Sequence, residues 1–268
     1  MNTLSFITAN YVARELNYQM TEGWDQGDAA TQAAFRPAEQ FESKLGVMLG
    51  DIKALGFQAI DLWGAHLHGR WATAEHLRIA KELLAKHELQ VVSLAAWIDS
   101  LETLKGTATI AAALGATSIG GGAPSLHTFR ADAEAVLKEH GVTLGIENHP
   151  EKTPDEVLKQ IGDGADGFIG TALDTGWWAT QGFSAPQAIR ELKDHLVHVH
   201  LKDIKAEGEH ETCRLGTGTV PVTECLKVLQ AVGYMGALGI EHERETFDPT
   251  QDIEASAALV RDWLVEHG

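Results

Sequence analysis

Four side chains that commonly bind metal ions follow consecutive apolar segments in the second half of the sequence. They are Glu147 in GIENH, Asp174 in ALDTGWW, His200 in HVHLKD and Glu241 in GIEHE. A carboxylate at the end of a buried strand is costly unless it meets a positive partner. Three carboxylates and one imidazole suit one divalent ion, such as Mn2+, Mg2+, Co2+ or Zn2+, better than a metal that prefers thiolates. The alternative is four unrelated polar strand ends, each of which meets its own lysine or helix.

Two histidines compete for the imidazole position. His198 and His200 are two residues apart on a predicted strand, so both side chains point to the same face. His200 lies nearer to the carboxyl end of that strand, where the other three candidate ligands are expected. Its position therefore favours it over His198 as a ligand. His149, Lys202 and Asp203 lie just beyond strand ends. These are positions for a substrate contact, for a hydrogen bond to a metal ligand, or for a solvated loop residue.

The four residues belong to a regular alternation that runs along the whole chain. Eight short apolar runs each precede a longer segment with helical spacing. This order predicts a single domain, residues 1–268, folded as a closed (β/α)8 TIM barrel, in which the carboxyl ends of the strands face the active site. The predicted strands are Leu4–Asn10, Ala59–Trp63, Val91–Ala96, Ser118–Gly121, Thr143–Glu147, Ile169–Asp174, Val197–Leu201 and Ala237–Glu241.

The predicted helices have boundaries that their sequences explain. Thr153-Pro154 begins one helix with proline at the first position, and Gly233 ends another. No G-x-G-x-x-G motif follows the first strand, which argues against an open dinucleotide-binding sheet. The predicted helices are Ala38–Leu55, one after Trp71, Leu101–Leu114, Ala131–His140, one from Pro154, Pro186–His195, Val222–Val232 and one from about Asp252.

Residues 14–37 interrupt this alternation. The segment is polar and shows no regular pattern, so we expect an irregular loop after the first strand. A long loop at the top of a barrel often serves as a lid or as a wall of the pocket.

The composition narrows the class of protein. The 38 Asp and Glu residues exceed the 21 Lys and Arg residues, and the net charge of −17 opposes binding to nucleic acid or to an anionic membrane. Two cysteines, Cys213 and Cys225, provide neither a disulfide framework nor a zinc ribbon. The N-terminus lacks the pattern of a signal peptide, and no apolar run reaches about 20 residues. We therefore expect a cytoplasmic protein.

Five motifs in order, IENHPEKTP, LDTGWW, HVHLKD, LGTG and GALGIEHE, resemble the sugar phosphate isomerase/epimerase family of xylose isomerase-like TIM barrels. The resemblance covers most of residues 140–245, and LGFQAIDLWG extends it weakly towards the N-terminus. It implies a mononuclear metal site at Glu147, Asp174, His200 and Glu241. It also implies that Glu147 and Glu241 exchange a proton with a keto sugar, while the metal binds the neighbouring oxygens and stabilises an enediolate.

The sequence departs from this family pattern at two positions. Several relatives have a histidine three residues after the aspartate ligand, where this chain has Trp177. Ketohexose 3-epimerases have an arginine six residues after the histidine ligand, where this chain has Ala206, which argues against an ordinary ketohexose epimerase. The missing histidine and the negative charge also argue against the DNA-repair endonucleases of the same fold.

Other residues are candidates for binding the substrate. His66 and His68 follow the second strand, and Trp63, Trp97, Trp177 and Trp178 fall near strand ends, where an aromatic face can stack on a sugar or pack beneath a loop. Arg244 and then Arg214 are the candidates for a phosphate or carboxylate of the substrate, although a neutral sugar is an equal alternative. The predicted substrate-binding residues are His66, His149, Trp177, Lys202, Arg214 and Arg244.

The sequence thus predicts a divalent-metal-dependent isomerase or epimerase, with manganese as one candidate ion, that acts on a keto sugar or a sugar derivative. The alternative is a dehydratase or lyase that acts on an oxidised sugar or inosose, because the same proton removal begins both reactions. A non-catalytic sugar-binding protein would be expected to lack a ligand, and a metal-dependent hydrolase would be richer in histidine ligands. Barrels of this family often self-associate, so homo-oligomerisation is a further expectation.

Overall fold

The apolar runs of the sequence form the strands of the computed structural model, which describes residues 2–267. Almost every strand residue is buried, because one face of each strand points into the barrel and helices cover the other. The strands are β1 (Leu4–Ile7), β2 (Ala59–Trp63), β3 (Gln90–Ala95), β4 (Ser118–Gly121), β5 (Thr143–Glu147), β6 (Ile169–Asp174), β7 (Leu196–Ile204), β8 (Thr212–Cys213) and β9 (Leu238–Glu241).

Eight of these strands close into a parallel barrel. Strands β1 to β7 pair in chain order, β7 pairs with β9, and β9 pairs with β1. The short strand β8 forms an antiparallel ladder with the end of β7. The carboxyl ends of the eight parallel strands therefore share one rim, and the predicted (β/α)8 TIM barrel of a single domain is confirmed.

Helices connect the strands and cover the barrel. They are α1 (Trp24–Phe35), α2 (Ala38–Ala54), α3 (Ala74–Lys86), α4 (Leu101–Leu114), α5 (Arg130–His140), α6 (Pro154–Ile161), α7 (Thr175–Thr180), α8 (Ala185–Leu192), α9 (Val222–Ala231) and α10 (Thr250–His267). Ser100 caps α4 by accepting a hydrogen bond from Thr103 N at 3.2 Å, and Gly115 ends α4 with a positive φ of 79°. Within residues 2–267, no helix is long and apolar enough to cross a membrane.

Most predicted boundaries agree with the structure to within three residues, whereas α7 and β8 were not predicted, and the largest difference follows the first strand. Strand β1 is shorter than predicted, because Thr8–Tyr11 forms a 3-10 turn. The expectation of an irregular segment at residues 14–37 is wrong for its second half, which forms α1. Its buried residues, Gly27, Thr31 and Phe35, recur every four positions, but two of them are not strongly apolar. A pattern based on hydrophobicity therefore does not predict this helix.

A buried side chain reinforces the seam between the first and last strands of the barrel. Asn10 Nδ2 donates a hydrogen bond to Ile240 O at 2.9 Å, and Asn10 Oδ1 accepts one from His242 N at 2.6 Å. Asn10 is fully buried, so no solvent competes for these two backbone groups. The seam that closes the barrel adjoins the end of β9, where Glu241 lies.

We predict that Asn10→Ala lowers the free energy of unfolding by about 3 kcal/mol, because two buried backbone groups lose their partners. Denaturant unfolding followed by circular dichroism measures the change. Thr3→Ala, at an exposed position near the start of β1, is the control and should change stability by less than about 0.5 kcal/mol. Equal stability of the two variants would contradict this account of the seam.

Candidate metal centre and cavity

The barrel brings four of the predicted residues together at one point of its rim. One ligand atom from each of Glu147, Asp174, His200 and Glu241 can be chosen so that all four atoms lie within 4.8 Å of one another. Strand register explains the convergence, because Asp174 of β6 lies opposite His200 of β7, and Glu241 of β9 lies opposite Lys202 of β7. All four candidate ligands are buried.

One carboxylate oxygen of Asp174 accepts hydrogen bonds, and the other accepts none. Its Oδ1 accepts hydrogen bonds from Gly176 N at 2.7 Å and Trp177 N at 2.9 Å, at the start of α7. Its Oδ2 is buried without a hydrogen-bond partner and lies 3.5 Å from Lys202 Nζ. Asn148 also holds the backbone of Asp174, by donating to its carbonyl at 3.0 Å and accepting from its N–H at 2.9 Å.

Glu241 shows a similar division of its oxygens, whereas both oxygens of Glu147 lie near imidazole nitrogens. Glu241 Oε1 accepts a hydrogen bond from Lys202 Nζ at 2.6 Å, while Glu241 Oε2 lacks one and lies 2.9 Å from His200 Nδ1. Glu147 Oε1 lies 3.1 Å from the same His200 Nδ1, and Glu147 Oε2 lies 3.4 Å from His149 Nε2. His200 Nδ1 thus faces both glutamates.

Charge crowding shifts the pKa values of these groups in opposite directions. Burial, together with the nearby charges of Glu241 and Glu147, raises the pKa of Asp174 to about 7. Burial would also raise the pKa of Glu241, but Lys202 and His200 hold it well below its usual value. Burial and Glu241 also raise the pKa of Glu243 to about 8, although its contact with Lys202 opposes this shift. The carboxylates therefore outnumber the positive charges that can compensate them.

These features fit a divalent cation. Two buried carboxylate oxygens, one on Asp174 and one on Glu241, lack a hydrogen-bond partner and belong to the same cluster as an imidazole nitrogen. A mixed set of three carboxylates and one imidazole suits Mn2+, Mg2+, Co2+ or Zn2+. An ion bound among them would supply the positive charge that the cluster lacks.

His198 lies outside this group of four. Its Nε2 is 3.1 Å from Asp61 Oδ1, deeper in the barrel, and Ser5 Oγ donates to Asp61 Oδ2 at 2.8 Å. A methyl group at Gly239 would come within 2.7 Å of Asp61 and 2.8 Å of His200, so glycine leaves room there for both side chains. His198 belongs with Asp61 and His200 to a second group of possible metal ligands, so the preference for His200 over His198 stays a prediction.

The end of β7 also supports the loop that contains the LGTG motif. Asp203 Oδ2 accepts hydrogen bonds from Gly216 N at 3.0 Å and Gly218 N at 2.9 Å, and Oδ1 accepts one from Val220 N at 2.9 Å. Asp203 is fully buried. It therefore anchors a loop, and the motif HVHLKD combines a candidate ligand, an ion-paired lysine and a loop anchor.

A cavity of about 780 Å3 opens above the four candidate ligands. Glu147 and Glu241 line it, together with four of the predicted substrate-binding residues, which are His149, Trp177, Lys202 and Arg244. Trp177 organises one wall, because it stacks on His210 with ring centroids 3.9 Å apart and meets His149 edge-on at 4.9 Å. His210 was not expected from the sequence, because it lies in a loop that carries no motif.

The structure does not bring His66 and Arg214 to this cavity. Arg214 is exposed and does not line the cavity, so its position gives no support to a contact with the substrate. His66 is buried behind Trp63, where Thr8 Oγ1 accepts from Trp63 N at 2.8 Å and lies 3.1 Å from His66 Nδ1. His66 was predicted because it follows the second strand, and Arg214 because it precedes the LGTG motif. Neither position indicates which way the side chain points.

Burial has a large effect on His66. It lowers the pKa of His66 to about 3, and the nearby charge of Arg14 lowers it further in the same direction. The ring is also packed edge-on against Phe35, with centroids 4.6 Å apart. His66 is therefore neutral in the folded protein, and its Nδ1 shares a hydrogen bond with Thr8 Oγ1.

The comparisons with known proteins agree with this fold. The xylose isomerase-like TIM barrel family matches residues 49–263, and the chain therefore belongs to that family. Among curated proteins, none is significantly similar to the chain in sequence. The expectation drawn from the sequence motifs is thereby confirmed at the level of the family.

Three solved structures illustrate the range of similar barrels. The IOLI protein with a zinc atom is 14% identical, with 99% of each chain covered and a TM-score of 0.72. An L-ribulose 3-epimerase is 17% identical, with 99% of this chain and 95% of that chain covered and a TM-score of 0.67. The probable 3-DHS dehydratase AsbF from Bacillus anthracis is 14% identical, with 97% and 98% covered and a TM-score of 0.66. At these identities the likeness concerns the fold.

The environment of His66 predicts a dependence of stability on pH. Because its pKa is lower in the folded protein than in the unfolded chain, stability is present above about pH 6.5 and is lost as the pH falls towards about 3. Between pH 7 and pH 5, protonation of this residue in the unfolded chain should lower the free energy of unfolding by about 2 kcal/mol. We expect His66→Asn to reduce the loss of unfolding free energy over this interval by about that amount. An unchanged pH dependence in denaturant titrations would contradict the burial of a neutral imidazole.

We also predict that Lys202→Met destabilises the metal-free protein by about 4 kcal/mol, because it leaves buried carboxylates without their partner. Unfolding in the presence of a chelator measures this loss. Excess Mn2+ should recover part of it, because the ion replaces the missing positive charge.

The matched control for this prediction is Lys205→Met. Lys205 forms an exposed ion pair with Glu211 at 2.6 Å, whose loss should cost less than about 1 kcal/mol. If the two variants were equally stable without metal, the proposed role of Lys202 in compensating the carboxylates would be wrong.

Proposed function

We propose that this protein is a divalent-metal-dependent isomerase or epimerase of a keto sugar or sugar derivative, which transfers a proton through an enediolate. The observation that carries the proposal is that only two of the four candidate ligands reach the cavity. Glu147 and Glu241 line the cavity, whereas Asp174 and His200 do not. Two glutamates are thus accessible to a substrate, while the other two residues are placed to hold the metal alone.

A bound divalent ion would polarise the carbonyl of the substrate and stabilise the negative charge that develops when the adjacent C–H bond loses its proton. The protein supplies the proton transfer. Either Glu147 or Glu241 accepts the proton from the carbon beside the carbonyl, and the other glutamate returns a proton to that carbon or to its neighbour. They project from β5 and β9, which are separated in the barrel by β6 and β7, and both line the cavity.

Two neighbouring residues prepare the glutamates for these roles. Lys202 holds Glu241 Oε1 at 2.6 Å, which keeps this carboxylate charged and leaves its other oxygen free. His149 lies 3.4 Å from Glu147 Oε2 and also faces the cavity, so it can exchange a proton with Glu147 or with an oxygen of the substrate. Trp177 packs against His149 and fixes the orientation of its ring.

A dehydratase or lyase that acts on an oxidised sugar or inosose is the second candidate. The observation that favours it is His149, whose Nδ1 is buried without a partner while its Nε2 faces Glu147. A side chain in that position can protonate a leaving hydroxyl after the neighbouring proton has been removed. The similarity in fold to the probable dehydratase AsbF is compatible with this alternative.

The proposed proton transfer predicts exchange with solvent. We expect the Mn2+-loaded protein, incubated in D2O with ketohexoses, ketopentoses, 3-keto-glycosides and inososes, to introduce deuterium at the carbon beside the carbonyl of its substrate. NMR of the products separates an epimer or isomer from a dehydrated product. Absence of deuterium in every sugar would make the mechanism wrong, and a dehydrated product would favour the second candidate.

Substitutions of the two glutamates test their roles. Glu147→Gln and Glu241→Gln should each reduce the exchange rate by about a thousandfold, the loss typical of a general acid or base. Each should also weaken the binding of Mn2+ measured by calorimetry. Glu139→Gln, at an exposed position near the end of α5, is the control for the chemical change. Normal metal binding in Glu147→Gln would remove this residue from the candidate ligands.

A further inference from the structure

The wall of the cavity is divided into two chemically different halves. Its lining residues from the first half of the barrel are apolar or glycine without exception in the described chain, and they are Ile7, Ala9, Val12, Met20, Trp24, Trp63, Ala95, Ala96, Trp97, Gly121 and Gly122. The second half of the barrel contributes charged and polar residues, with Trp177 as the exception. The boundary between the halves falls between β4 and β5.

The apolar half is a preformed surface that is partly open to ligand. Trp24 and Trp63 pack together with ring centroids 5.2 Å apart, and Met20 and Val12 belong to the same buried cluster as Trp63. Trp24 is 39% exposed although it lines a cavity, and Trp97 is 55% exposed. Large aromatic side chains that stay exposed within a concave site are typical of surfaces that bind an apolar group.

The charged and polar residues from the second half of the barrel form the ionic half of the wall. Among residues 2–267, each ammonium or guanidinium group that lines the cavity contacts a carboxylate. Lys202 contacts Glu241 and Glu243, and Arg244 Nη2 donates to Glu211 Oε1 at 2.9 Å. The two basic residues are outnumbered by five glutamates in the lining, Glu147, Glu211, Glu241, Glu243 and Glu245. A phosphate or carboxylate on the substrate would therefore have to compete with these carboxylates for Lys202 and Arg244.

The hydroxyl groups of a sugar need hydrogen-bond partners when they leave water. Among the described residues, the side chains of the apolar half provide only the indole N–H donors of Trp24, Trp63 and Trp97, so most hydroxyl groups placed against them would be desolvated without side-chain compensation. A cavity of about 780 Å3 also lies in the range that encloses drug-sized ligands, which are larger than a single sugar ring.

We propose that the substrate is an uncharged keto sugar or cyclitol that carries an apolar substituent, such as the aglycone of a glycoside. The polar ring lies against the metal centre and the ends of β5 to β9, and the substituent lies against Met20, Trp24, Trp63 and Trp97. This inference rests on the proposed function for the identity of the reacting ring. The segment at residues 14–37 supplies Met20 and Trp24, so it determines specificity by forming a wall of the cavity.

The experiment compares matched ligands on the Mn2+-loaded full chain. Isothermal titration calorimetry measures the dissociation constants of methyl and phenyl glycosides of glucose, galactose, mannose and xylose that are oxidised to a ketone at C3, so that the ring carries a carbonyl, and of the corresponding keto-sugar phosphates. We expect at least one phenyl glycoside to bind at least tenfold more tightly than its methyl partner and more tightly than the phosphate. The proposal is overturned if no pair shows this preference, whether because both members bind equally or because neither binds, or if a sugar phosphate binds best.

Variants then locate the preference. Trp24→Ala and Trp97→Ala, both at partly exposed positions, should each reduce the phenyl-over-methyl preference at least threefold. Met235→Ala is the control, because Met235 is 69% exposed and does not line the cavity. A preference that persists in both tryptophan variants would overturn the assignment of this wall.

The two proposals fail in different ways. If the phenyl preference is present but no sugar or glycoside acquires deuterium in D2O, the proposed reaction fails while the substrate class stands. If deuterium enters a free keto sugar rapidly and no phenyl preference is found, the reaction stands and the apolar substituent is wrong.

Discussion

The repulsion between three buried carboxylates is the constraint on which the rest of this site depends. Glu147, Asp174 and Glu241 converge within a few ångströms, and burial alone would force them to take up protons. The protein compensates them in part, with the ammonium of Lys202, the imidazole of His200 and the backbone N–H groups at the start of α7. The compensation leaves two oxygens without partners, and that remaining deficit is what makes the cluster suitable for a cation.

The barrel maintains this unfavourable cluster because its strands are held in register by more than their ladders. Asn148 clamps the backbone of Asp174 through both its N–H and its carbonyl, and Asn10 performs the same kind of bridging between Ile240 and His242 at the seam of the barrel. Side chains that satisfy two buried backbone groups at once fix strand ends at the rim. The rigidity needed to hold like charges together is therefore built next to those charges.

A large part of the fold and of the candidate site could be predicted from the sequence, and the failures among the predicted site residues share one cause. Strand ends at a barrel rim follow from the order of elements, so Glu147 and Glu241 could be placed in one site. His66 and Arg214 also lie near strand ends, yet one is buried behind Trp63 and the other faces solvent. The direction of a loop side chain depends on packing partners that are distant in sequence.

The sequence by itself determined the alternation of strands and helices, the barrel and the residue types at its rim, because these follow from periodicity and from the rule that strand ends converge. Only the tertiary structure decided which oxygens are held and which are free, and that Lys202 compensates the cluster. It alone showed helix α1, whose buried stripe is weakly apolar, and the division of the cavity into apolar and ionic halves. These features depend on contacts between residues far apart in the chain, and no local pattern records them.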